Sequence, residues 1–381
     1  MNRDNLSALA VGVGVVALIA GFGIYFNNPD LNKVSGQQDS VVPSGAVQGN
    51  GTITKVHIDK SQFKQSPELA KISGYINTEP IKIADLRGKV VLVDFWTYSC
   101  INCIRTIPYL NAWNEKYANQ GLVIIGVHTP EFEFEKNIDN VKAAVEKFGI
   151  KYPVVQDNDR GTWNAFENRY WPRKYLVDDE GFIRYDHIGE GSYAETEKVI
   201  QSLLAERAAN TGQAININES ISQPGAVQSV EFGKIQTPEL YFGYGYARTK
   251  LGNPEGFKPD SVVNYSIPEN SDIKPSTIYL SGEWKNNVDS MELQGQVGKI
   301  VLSYSAKSVN IVAGGKGELH IIEDQVQLTG DGRGSDVSES GQVDVDGQRL
   351  YNIAMHDNYG NHTIEITAIG SGFQIYTFTF G

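Results

Sequence analysis

The sequence predicts an α/β domain followed by an all-β domain, both placed after an apolar N-terminal segment. Strand-like and helix-like segments alternate from Ser66 to about Arg207, which is the pattern of an α/β domain. From Val230 onward, short β-branched and aromatic runs are separated by Gly, Asn and Asp, which favours a β-sandwich. Leu6 to Phe26 is a run of 21 residues without a charge, long enough to cross a hydrocarbon core of about 30 Å.

The N-terminal apolar run predicts an uncleaved signal anchor, a single transmembrane helix, over residues 1–26. A cleavable signal peptide is the competing interpretation, because Arg3 supplies a basic start. The length of the run and the lack of a small-x-small cleavage site beside Phe26 favour the anchor. The short N-terminal tail is the easier side to leave in the cytoplasm, so the rest of the chain is expected on the extracytoplasmic side. Residues 27–60 are polar and rich in Gly, Ser and Asn, which predicts a flexible linker.

The α/β domain is predicted at residues 61–208, a second linker at 209–229 and the all-β domain at 230–381. The core strands of the first domain are predicted at Val90–Phe95, Leu122–Val127, Lys174–Val177 and Phe182–Asp186. Its helices are predicted at Ile101–Ala118, Val141–Phe148, Trp163–Tyr170 and Tyr193–Ala208. The short strands of the second domain are predicted at Thr277–Leu280, Lys299–Tyr304, Val309–Val312, Glu318–Ile322, Gln325–Leu328, Leu350–Met355, Thr363–Ala368 and Phe373–Phe380.

The two cysteines of the chain, Cys100 and Cys103, lie where a predicted core strand passes through a short turn into a helix. Unpaired backbone N–H groups at a helix N-terminus, together with the positive end of its dipole, stabilise a thiolate over a thiol. At a spacing of three residues in a first helical turn, the two sulfurs can close a small disulfide ring. A thiolate can attack a disulfide of another protein, and the second thiol then resolves the mixed disulfide. The pattern therefore predicts a redox-active pair.

Three other interpretations of the cysteine pair are weaker. A structural zinc site usually needs four ligands, and the six histidines show no paired spacing, so no metal site is predicted. They are His57, His128, His187, His320, His356 and His362. A purely structural disulfide closing so short a loop would restrict the unfolded chain little. A peroxidase is disfavoured because a Cys-x-x-Cys pair follows the strand, rather than a lone cysteine beside Pro and Thr.

The residues around the pair resemble a known family. Val93-Asp-Phe-Trp96 followed by Cys100-x-x-Cys103 resembles the thioredoxin superfamily. The longer string Phe-Trp-Thr-Tyr-Ser-Cys-Ile-Asn-Cys is similar to the thioredoxin-like domain of DipZ proteins, within the membrane-anchored TlpA-type group. Further similar segments are Val127–Phe132, Tyr152–Val155, Tyr170–Asp178, Thr237–Tyr241 and Phe378–Gly381. The resemblance implies a thioredoxin-like domain followed by a jelly-roll sandwich similar to carbohydrate-binding modules.

The resemblance assigns catalytic roles to four residues. It implies that Cys100 attacks and Cys103 resolves, with their disulfide as the redox group and no other cofactor. Asp94, six residues before Cys100, matches the buried carboxylate of thioredoxins. A carboxylate desolvated there has a raised pKa and can relay a proton, whereas the alternative is a strand residue that faces solvent. Pro172 matches the cis-proline of this fold, although only about 5–6% of X-Pro bonds are cis.

Aromatic and charged residues nearby are predicted to shape the substrate site. Trp96 and Tyr98 are expected to form an aromatic wall beside the sulfurs, although an aromatic after a strand is more often simple core. The backbone of Trp171 is expected to pair with an extended substrate segment. Glu131 looks like the acidic residue that TlpA-type proteins place near the active site, which makes it a candidate modulator. Arg105 is expected either to support the thiolate or to be a solvated surface charge.

Composition and resemblance together indicate the partners. The chain carries 33 basic and 45 acidic residues and a formal net charge of −12, and without a basic block it is not expected to bind nucleic acid. The resemblance implies disulfide-containing exported proteins as substrates. Full DipZ proteins carry a CcdA-type membrane domain that passes electrons outward, whereas the one predicted span here contains no cysteine. A separate CcdA-like membrane reductase is therefore an expected partner.

The predicted function is that of a membrane-anchored, extracytoplasmic thiol–disulfide oxidoreductase that reduces or exchanges disulfides in exported proteins. The alternative is a glycan- or partner-binding cell-surface protein with an auxiliary redox domain. In that case exposed aromatics such as Trp284 and Tyr359 would stack on sugar rings. The acidic turns Asp331–Gly334 and Asp344–Gly347 lack the ligand run of a calcium loop and are predicted to be ordinary turns.

Overall fold

The computed structural model describes residues 59–213, 215–225, 227–267 and 273–381. The predicted signal anchor at Leu6–Phe26 and nearly all of the predicted linker at 27–60 lie outside the described residues. Within the described ranges, no helix combines the length and the apolar character needed to cross a membrane.

A six-stranded mixed sheet forms the centre of the N-terminal domain. Its strands are β1 (Gly74–Ile76), β2 (Val90–Trp96), β3 (Leu122–His128), β4 (Val154–Gln156), β5 (Arg173–Val177) and β6 (Ile183–Ile188). Their order across the sheet is β1-β4-β3-β2-β5-β6. Strands β2, β3 and β4 are parallel, whereas β1, β5 and β6 run antiparallel to their neighbours. The helices are α1 (Ile101–Tyr117), α2 (Ile138–Lys147), α3 (Gly161–Ala165) and α4 (Tyr193–Thr211), with single 3-10 turns at Ile83–Leu86, Ala118–Gln120 and Glu133–Lys136.

Both faces of the central strand β2 are covered by apolar side chains. All seven of its residues are buried. Leu92 and Trp96 pack with residues of α1 and α4, whereas Val93 and Phe95 pack into a second cluster on the opposite face. The alternative that Asp94 faces solvent is therefore wrong, because the residue is only 2% exposed. A strand buried on both faces does not alternate apolar and polar residues, so a polar residue in it need not point outward.

The predicted helix at Trp163–Tyr170 is the least accurate of the helix predictions. Helix α3 ends at Ala165, and Glu167 then adopts a positive φ of 53°. The side chain of Asn168 accepts hydrogen bonds from the backbone N–H groups of Arg169 and Tyr170. This local turn competes with the helix and ends it early.

The C-terminal domain is built from strands, apart from a 3-10 turn at Phe232–Lys234, within the part of the chain that the structure describes. Its strands are β7 (Leu240–Tyr241), β8 (Val262–Tyr265), β9 (Ile278–Asn286), β10 (Met291–Leu293), β11 (Val297–Gly314), β12 (Gly317–Glu323), β13 (Val326–Gln327), β14 (Gly332–Arg333), β15 (Gln342–Val345), β16 (Arg349–Ile369) and β17 (Gln374–Phe380). One extensive apolar cluster fills the domain. The prediction that the C-terminal domain consists of strands is confirmed, and the jelly-roll connectivity stays a prediction.

Two strands are much longer than the sequence pattern predicts. The segments predicted as separate strands at Lys299–Tyr304 and Val309–Val312 are one strand, β11, of 18 residues. The segments at Leu350–Met355 and Thr363–Ala368 likewise join into β16, of 21 residues. The polar run between the latter two resembles a turn in sequence, but the pairing with β11 continues on both sides of an irregular stretch between Met355 and Gly360.

Trp284 does not lie on the surface of the C-terminal domain. It is 0% exposed, belongs to the apolar cluster, and its indole N–H donates to the carbonyl of Ser281 at 2.9 Å. The suggestion that Trp284 stacks on sugar rings is therefore wrong. A large aromatic with one polar atom is well suited to a core position where that atom finds a partner.

Candidate active site

The cysteine pair lies at the start of helix α1, directly after β2. Cys100 is the N-cap residue, and its sulfur accepts a hydrogen bond from the backbone N–H of Cys103 at 3.3 Å. Both cysteines are free thiols. Cys100 is partly exposed, whereas Cys103 is 1% exposed. Burial and the neighbouring Cys100 hold the pKa of the Cys103 thiol well above its ordinary value, so Cys103 is the protonated partner and Cys100 the one that meets other molecules.

Asp94 is a buried carboxylic acid close to Cys103. In the sheet it pairs with Gly126 of β3 and with Lys174 of β5. Burial raises its pKa from 3.8 to about 7, although the positive charge of Lys174 acts in the opposite direction. The Asp94 charge also contributes to the raised pKa of Cys103, which places the two groups within electrostatic reach. A carboxyl group with this pKa can both accept and release a proton near neutral pH.

Lys174 completes this buried group and was missed by the sequence analysis. It is 0% exposed, and its ammonium group donates to the carbonyl of Gly189 at 3.2 Å. Burial lowers the pKa of Lys174, while the Asp94 and Cys103 charges act to raise it. The sequence offered one indication that Lys174 is buried, which is its position in β5. There it lies on the same face as the buried Leu176, whereas Tyr175 packs on the opposite face.

The Trp171–Pro172 peptide bond is cis, as predicted. Pro172 is buried, and its carbonyl accepts a hydrogen bond from the N–H of Gly189 at 2.8 Å. The Trp171 ring packs on Trp163 with a centroid distance of 4.3 Å, and its indole N–H donates to the carbonyl of Thr129 at 3.0 Å. The side chain of Trp171 is thus held in place, and pairing of its backbone with a substrate stays a prediction.

The two predicted wall aromatics are both buried and differ in role. Trp96 is 1% exposed and lies edge-on to His128, with ring centroids 5.2 Å apart. A Cβ atom on Gly126 would lie 3.0 Å from the Trp96 indole nitrogen, so glycine leaves space for this ring. Tyr98 stacks on His128 and donates its hydroxyl to the carbonyl of Gln348 in the C-terminal domain at 3.3 Å. Burial lowers the pKa of His128 to about 3, so the ring is neutral near pH 7. It packs against the two aromatic rings and does not act as an acid.

Glu135 holds the turn that precedes Cys100, and sequence reasoning missed it. One carboxylate oxygen accepts hydrogen bonds from the hydroxyls of Thr97 and Ser99, at 2.5 Å each. The other accepts from the backbone N–H groups of Glu131 and Phe132, at 2.6 and 2.9 Å. Glu135 is 0% exposed. Its four donors come from two loops that are far apart in sequence, so the side chain ties the strand–helix turn to the loop after β3.

Replacing Glu135 with alanine is expected to lower the free energy of unfolding by about 2 kcal/mol or more, because several buried donors lose their acceptor. Urea unfolding followed by circular dichroism measures this change. Glu133→Ala is the matched control, since the Glu133 side chain is 77% exposed and pairs with a surface lysine, Lys136. The control is expected to change stability by no more than about 0.5 kcal/mol. Equal effects of the two variants would contradict the role given to Glu135.

Arg105 is not a solvated surface charge, which was one of the two expectations for it. It is 5% exposed and binds the carboxylate of Glu190 through its Nε and Nη2 atoms at 2.6 to 3.1 Å. The Nη2 atom also donates to the side-chain oxygen of Asn102 at 2.7 Å. Arg105 therefore clamps one of the two residues between the cysteines and anchors the first turn of α1 to the loop after β6.

Glu131 lies at the contact between the two domains. Its carboxylate accepts a hydrogen bond from the hydroxyl of Tyr241 at 2.7 Å, and its carbonyl accepts one from Tyr246 at 2.9 Å. Burial, together with the nearby Glu239 and Glu135 carboxylates, raises the pKa of Glu131. Tyr241 has one proton to share between Glu131 and Glu239, whose carboxylate is 2.9 Å away. Glu131 therefore joins β7 of the C-terminal domain to the active-site domain, and its role as a modulator stays a prediction.

A cleft of about 810 Å³ opens between helix α1 and the C-terminal domain. Tyr98, Ile101 and Pro108 line it from the N-terminal domain. Gln348 and Arg349 line it from the C-terminal domain. The residue directly after Cys100 thus faces a space whose opposite wall belongs to the second domain.

Comparison with known proteins agrees with this architecture. Residues 65–186 match the AhpC/TSA family, and residues 237–381 match the family described as the thioredoxin-like C-terminal domain. Protein DipZ of Mycobacterium tuberculosis (strain CDC 1551 / Oshkosh) is 35% identical over 319 residues, which cover 83% of this chain and 43% of that protein. The chain therefore spans under half the length of the DipZ relatives that it matches.

Two shorter relatives are thiol-disulfide oxidoreductases. The thiol-disulfide oxidoreductase YkuV of Bacillus subtilis (strain 168) is 31% identical over 140 residues, which cover 37% of this chain and 94% of YkuV. The thiol-disulfide oxidoreductase ResA of Geobacillus kaustophilus (strain HTA426) is 29% identical over 122 residues, covering 32% of this chain and 67% of ResA. Since the match to YkuV includes nearly all of that enzyme, this chain belongs to the thioredoxin-like thiol–disulfide oxidoreductases.

Proposed function

We propose that this chain is a membrane-anchored, extracytoplasmic oxidoreductase that reduces or exchanges disulfides in exported proteins through its Cys100–Cys103 pair. The observation that carries the proposal is the unequal exposure of the two sulfurs. Cys100 is partly exposed at the helix N-cap, whereas Cys103 is buried beside Asp94. This arrangement suits one thiol to attack and the other to resolve.

The reaction uses both thiols and the buried carboxyl group. The Cys100 thiolate attacks one sulfur of a substrate disulfide, which forms a mixed disulfide and releases the other substrate sulfur as a thiolate that takes up a proton. The Cys103 thiol then gives its proton to the Asp94 carboxylate and attacks the Cys100 sulfur. The Cys100–Cys103 bond forms, the mixed disulfide breaks, and the second substrate sulfur leaves. Two electrons pass from the enzyme to the substrate.

The pKa of Asp94 favours the proton transfer in this scheme. A base with a pKa of about 7 is partly ionised at neutral pH, so it can take a proton from Cys103 and later release it. Lys174 lies close enough for its charge to act on both Asp94 and Cys103. It thereby limits the cost of forming a thiolate in this buried place.

The cleft between the domains supports a substrate path that involves the C-terminal domain. Ile101 follows Cys100 directly and lines the cleft opposite Gln348 and Arg349. An exported protein whose disulfide reaches Cys100 would then contact both domains. In this proposal, the second domain helps to hold the substrate, and the backbone of Trp171 pairs with the substrate segment next to its disulfide.

The proposed electron source is a CcdA-like membrane reductase that returns the oxidised pair to the dithiol state. Thiol trapping in cells of the source organism tests both the direction of electron flow and the location of the pair. A membrane-impermeant maleimide is expected to label the cysteines in intact cells, which would place them outside the cytoplasm. Most of the pair is expected to be reduced, and to become oxidised when the CcdA-like protein is deleted.

The double variant Cys100→Ser/Cys103→Ser is the control for this experiment, because it removes both cysteines of the chain and should show no labelling. A pair that is oxidised in both strains would refute reduction by the CcdA-like protein. Labelling that appears only after cell lysis would refute the extracytoplasmic location. Neither result would affect the assignment of the chain to the thiol–disulfide oxidoreductases.

A further inference from the structure

Two histidines and two acidic residues meet in the C-terminal domain, away from the cysteine pair. The Nε2 atom of His356 lies 3.0 Å from a carboxylate oxygen of Glu323. The Nδ1 atom of His362 lies 2.8 Å from a carboxylate oxygen of Asp324. The two imidazole rings stack with their centroids 4.3 Å apart and their planes 10° apart. We call these four residues the histidine–carboxylate cluster.

An irregular stretch of β16 brings the two histidines together. Gly360 pairs with Ala306 of β11, and Met355 pairs with Ser308. The chain from 355 to 360 therefore stands opposite only the chain from 306 to 308, which is a pronounced bulge. In a straight strand, residues six apart would be separated by about 20 Å. Bulges commonly redirect side chains beside functional sites, and this one places His356 against His362.

Three members of the cluster form a set of metal-ligating atoms. One donor atom from each of Glu323, His356 and His362 lies within 4.8 Å of the other two. The Glu323 side chain is 5% exposed, and the two histidine side chains are 17% and 22% exposed. The carboxylate thus lies at the base of the cluster and the imidazoles at its rim, where an ion can enter from solvent. Two histidines and one glutamate, with a fourth position open, are a known ligand set for zinc.

The groups around these three atoms resemble the outer partners of a metal site. Asp324 accepts from His362 and also from the backbone N–H of Thr363 at 2.8 Å, so its carboxylate is held in place. A carboxylate bonded to one imidazole nitrogen fixes the ring and strengthens the other nitrogen as a ligand. The hydroxyl of Tyr304 donates to Glu323. The ligating carboxylate is therefore oriented as well.

Charge balance within the cluster also favours a cation. Glu323 and Asp324 supply two carboxylates beside the two stacked imidazole rings. A divalent ion would balance these carboxylates, and neutral imidazole is the form of histidine that binds metals.

We propose that Glu323, His356 and His362 bind a divalent transition-metal ion, with zinc as the best fit, and that Asp324 orients His362 for this purpose. The ion would connect the end of β12 to both sides of the β16 bulge. The site is independent of the redox reaction proposed above.

Calorimetric titration with zinc chloride tests the proposal on the full chain carrying Cys100→Ser and Cys103→Ser, because a dithiol can itself bind zinc. One equivalent is expected to bind to the metal-free protein and to raise its melting temperature. His356→Gln and His362→Gln are each expected to weaken zinc binding at least tenfold. Removing an outer partner of a ligand already costs about 10- to 100-fold in metal affinity, so removing a ligand should cost no less than tenfold. Asp324→Asn is expected to weaken zinc binding by about 10- to 100-fold.

His320→Gln is the matched control, since His320 also pairs with a glutamate of β12, Glu318, but lies outside the cluster. This variant should bind zinc as the parent does. His362 is the more exposed histidine of the cluster, so His362→Gln decides the outcome if the His356 variant unfolds. The proposal is overturned if the cysteine-free parent binds no zinc, or if His362→Gln binds it with the affinity of His320→Gln.

Discussion

Replacing Cys100 with serine is expected to reduce disulfide-reductase turnover to the uncatalysed background. Serine is close to cysteine in size, but its hydroxyl is not ionised near neutral pH and is a poor nucleophile without a base. Cys103 cannot take over the attack, because it is 1% exposed and because burial, the largest cause of its raised pKa, remains in the variant. The measurement is the rate at which the enzyme accelerates the reduction of insulin disulfides by dithiothreitol.

Replacing Cys103 with serine distinguishes the two roles. This variant keeps the exposed nucleophile and loses the resolving thiol, so it is expected to accumulate a mixed disulfide with the substrate. Non-reducing gels and mass spectrometry of the insulin reaction would show the adduct on Cys100. If Cys103→Ser turns over normally, or if the adduct forms on Cys103 of the Cys100→Ser variant, the assignment of attacking and resolving thiols is wrong.

Replacing Asp94 with asparagine is expected to remove a pH dependence of stability. The pKa of Asp94 is about 7 in the folded chain and 3.8 without the surrounding protein, so the folded state holds the proton more tightly. The stabilisation from this proton is fully present below about pH 4 and is lost as the pH rises through about 7. Between about pH 4.5 and about pH 8, the wild type should therefore lose about 3 kcal/mol that the Asn variant retains.

Urea unfolding of the oxidised proteins at several pH values measures this difference. Asp186→Asn is the matched control, because Asp186 lies on β6 of the same sheet, with its side chain 41% exposed and paired to Arg173. The control variant should follow the pH profile of the wild type. If the Asp94 variant also runs parallel to the wild type over this range, the carboxyl group does not have the raised pKa on which its proton-relay role depends.

The position of the cysteine pair at a helix start could be inferred from sequence, because it depends on residues that are neighbours in the chain. An apolar strand, a short turn and a helical segment place Cys100 at a helix N-terminus, and the structure agrees. The family resemblance then supplied Asp94 and Pro172. The burial of Asp94 and the cis bond before Pro172 are both present.

The residues that sequence reasoning missed act across long separations in the chain. Glu135 receives hydrogen bonds from Thr97 and Ser99 across more than thirty residues. Glu190 pairs with Arg105 across 85 residues. No local pattern distinguishes such residues from solvated surface charges, because their partners become neighbours only after the sheet and helix α1 have assembled.

The same reason explains why the sequence did not reveal that His356 and His362 lie together. In sequence, His356 and His362 lie in a polar run that is typical of a turn. In the structure that run bulges within a strand, because its apolar flanks continue the pairing with β11.

The sequence alone is enough to infer the α/β and all-β domain order, the redox pair at a helix start and the lack of a basic block, since each depends on composition or on spacing along the chain. The tertiary structure was needed to establish which charges are buried, how Glu131 and Tyr98 join the two domains, and which histidines meet. These properties depend on distances between residues remote in sequence, and such distances are set by packing rather than by local pattern.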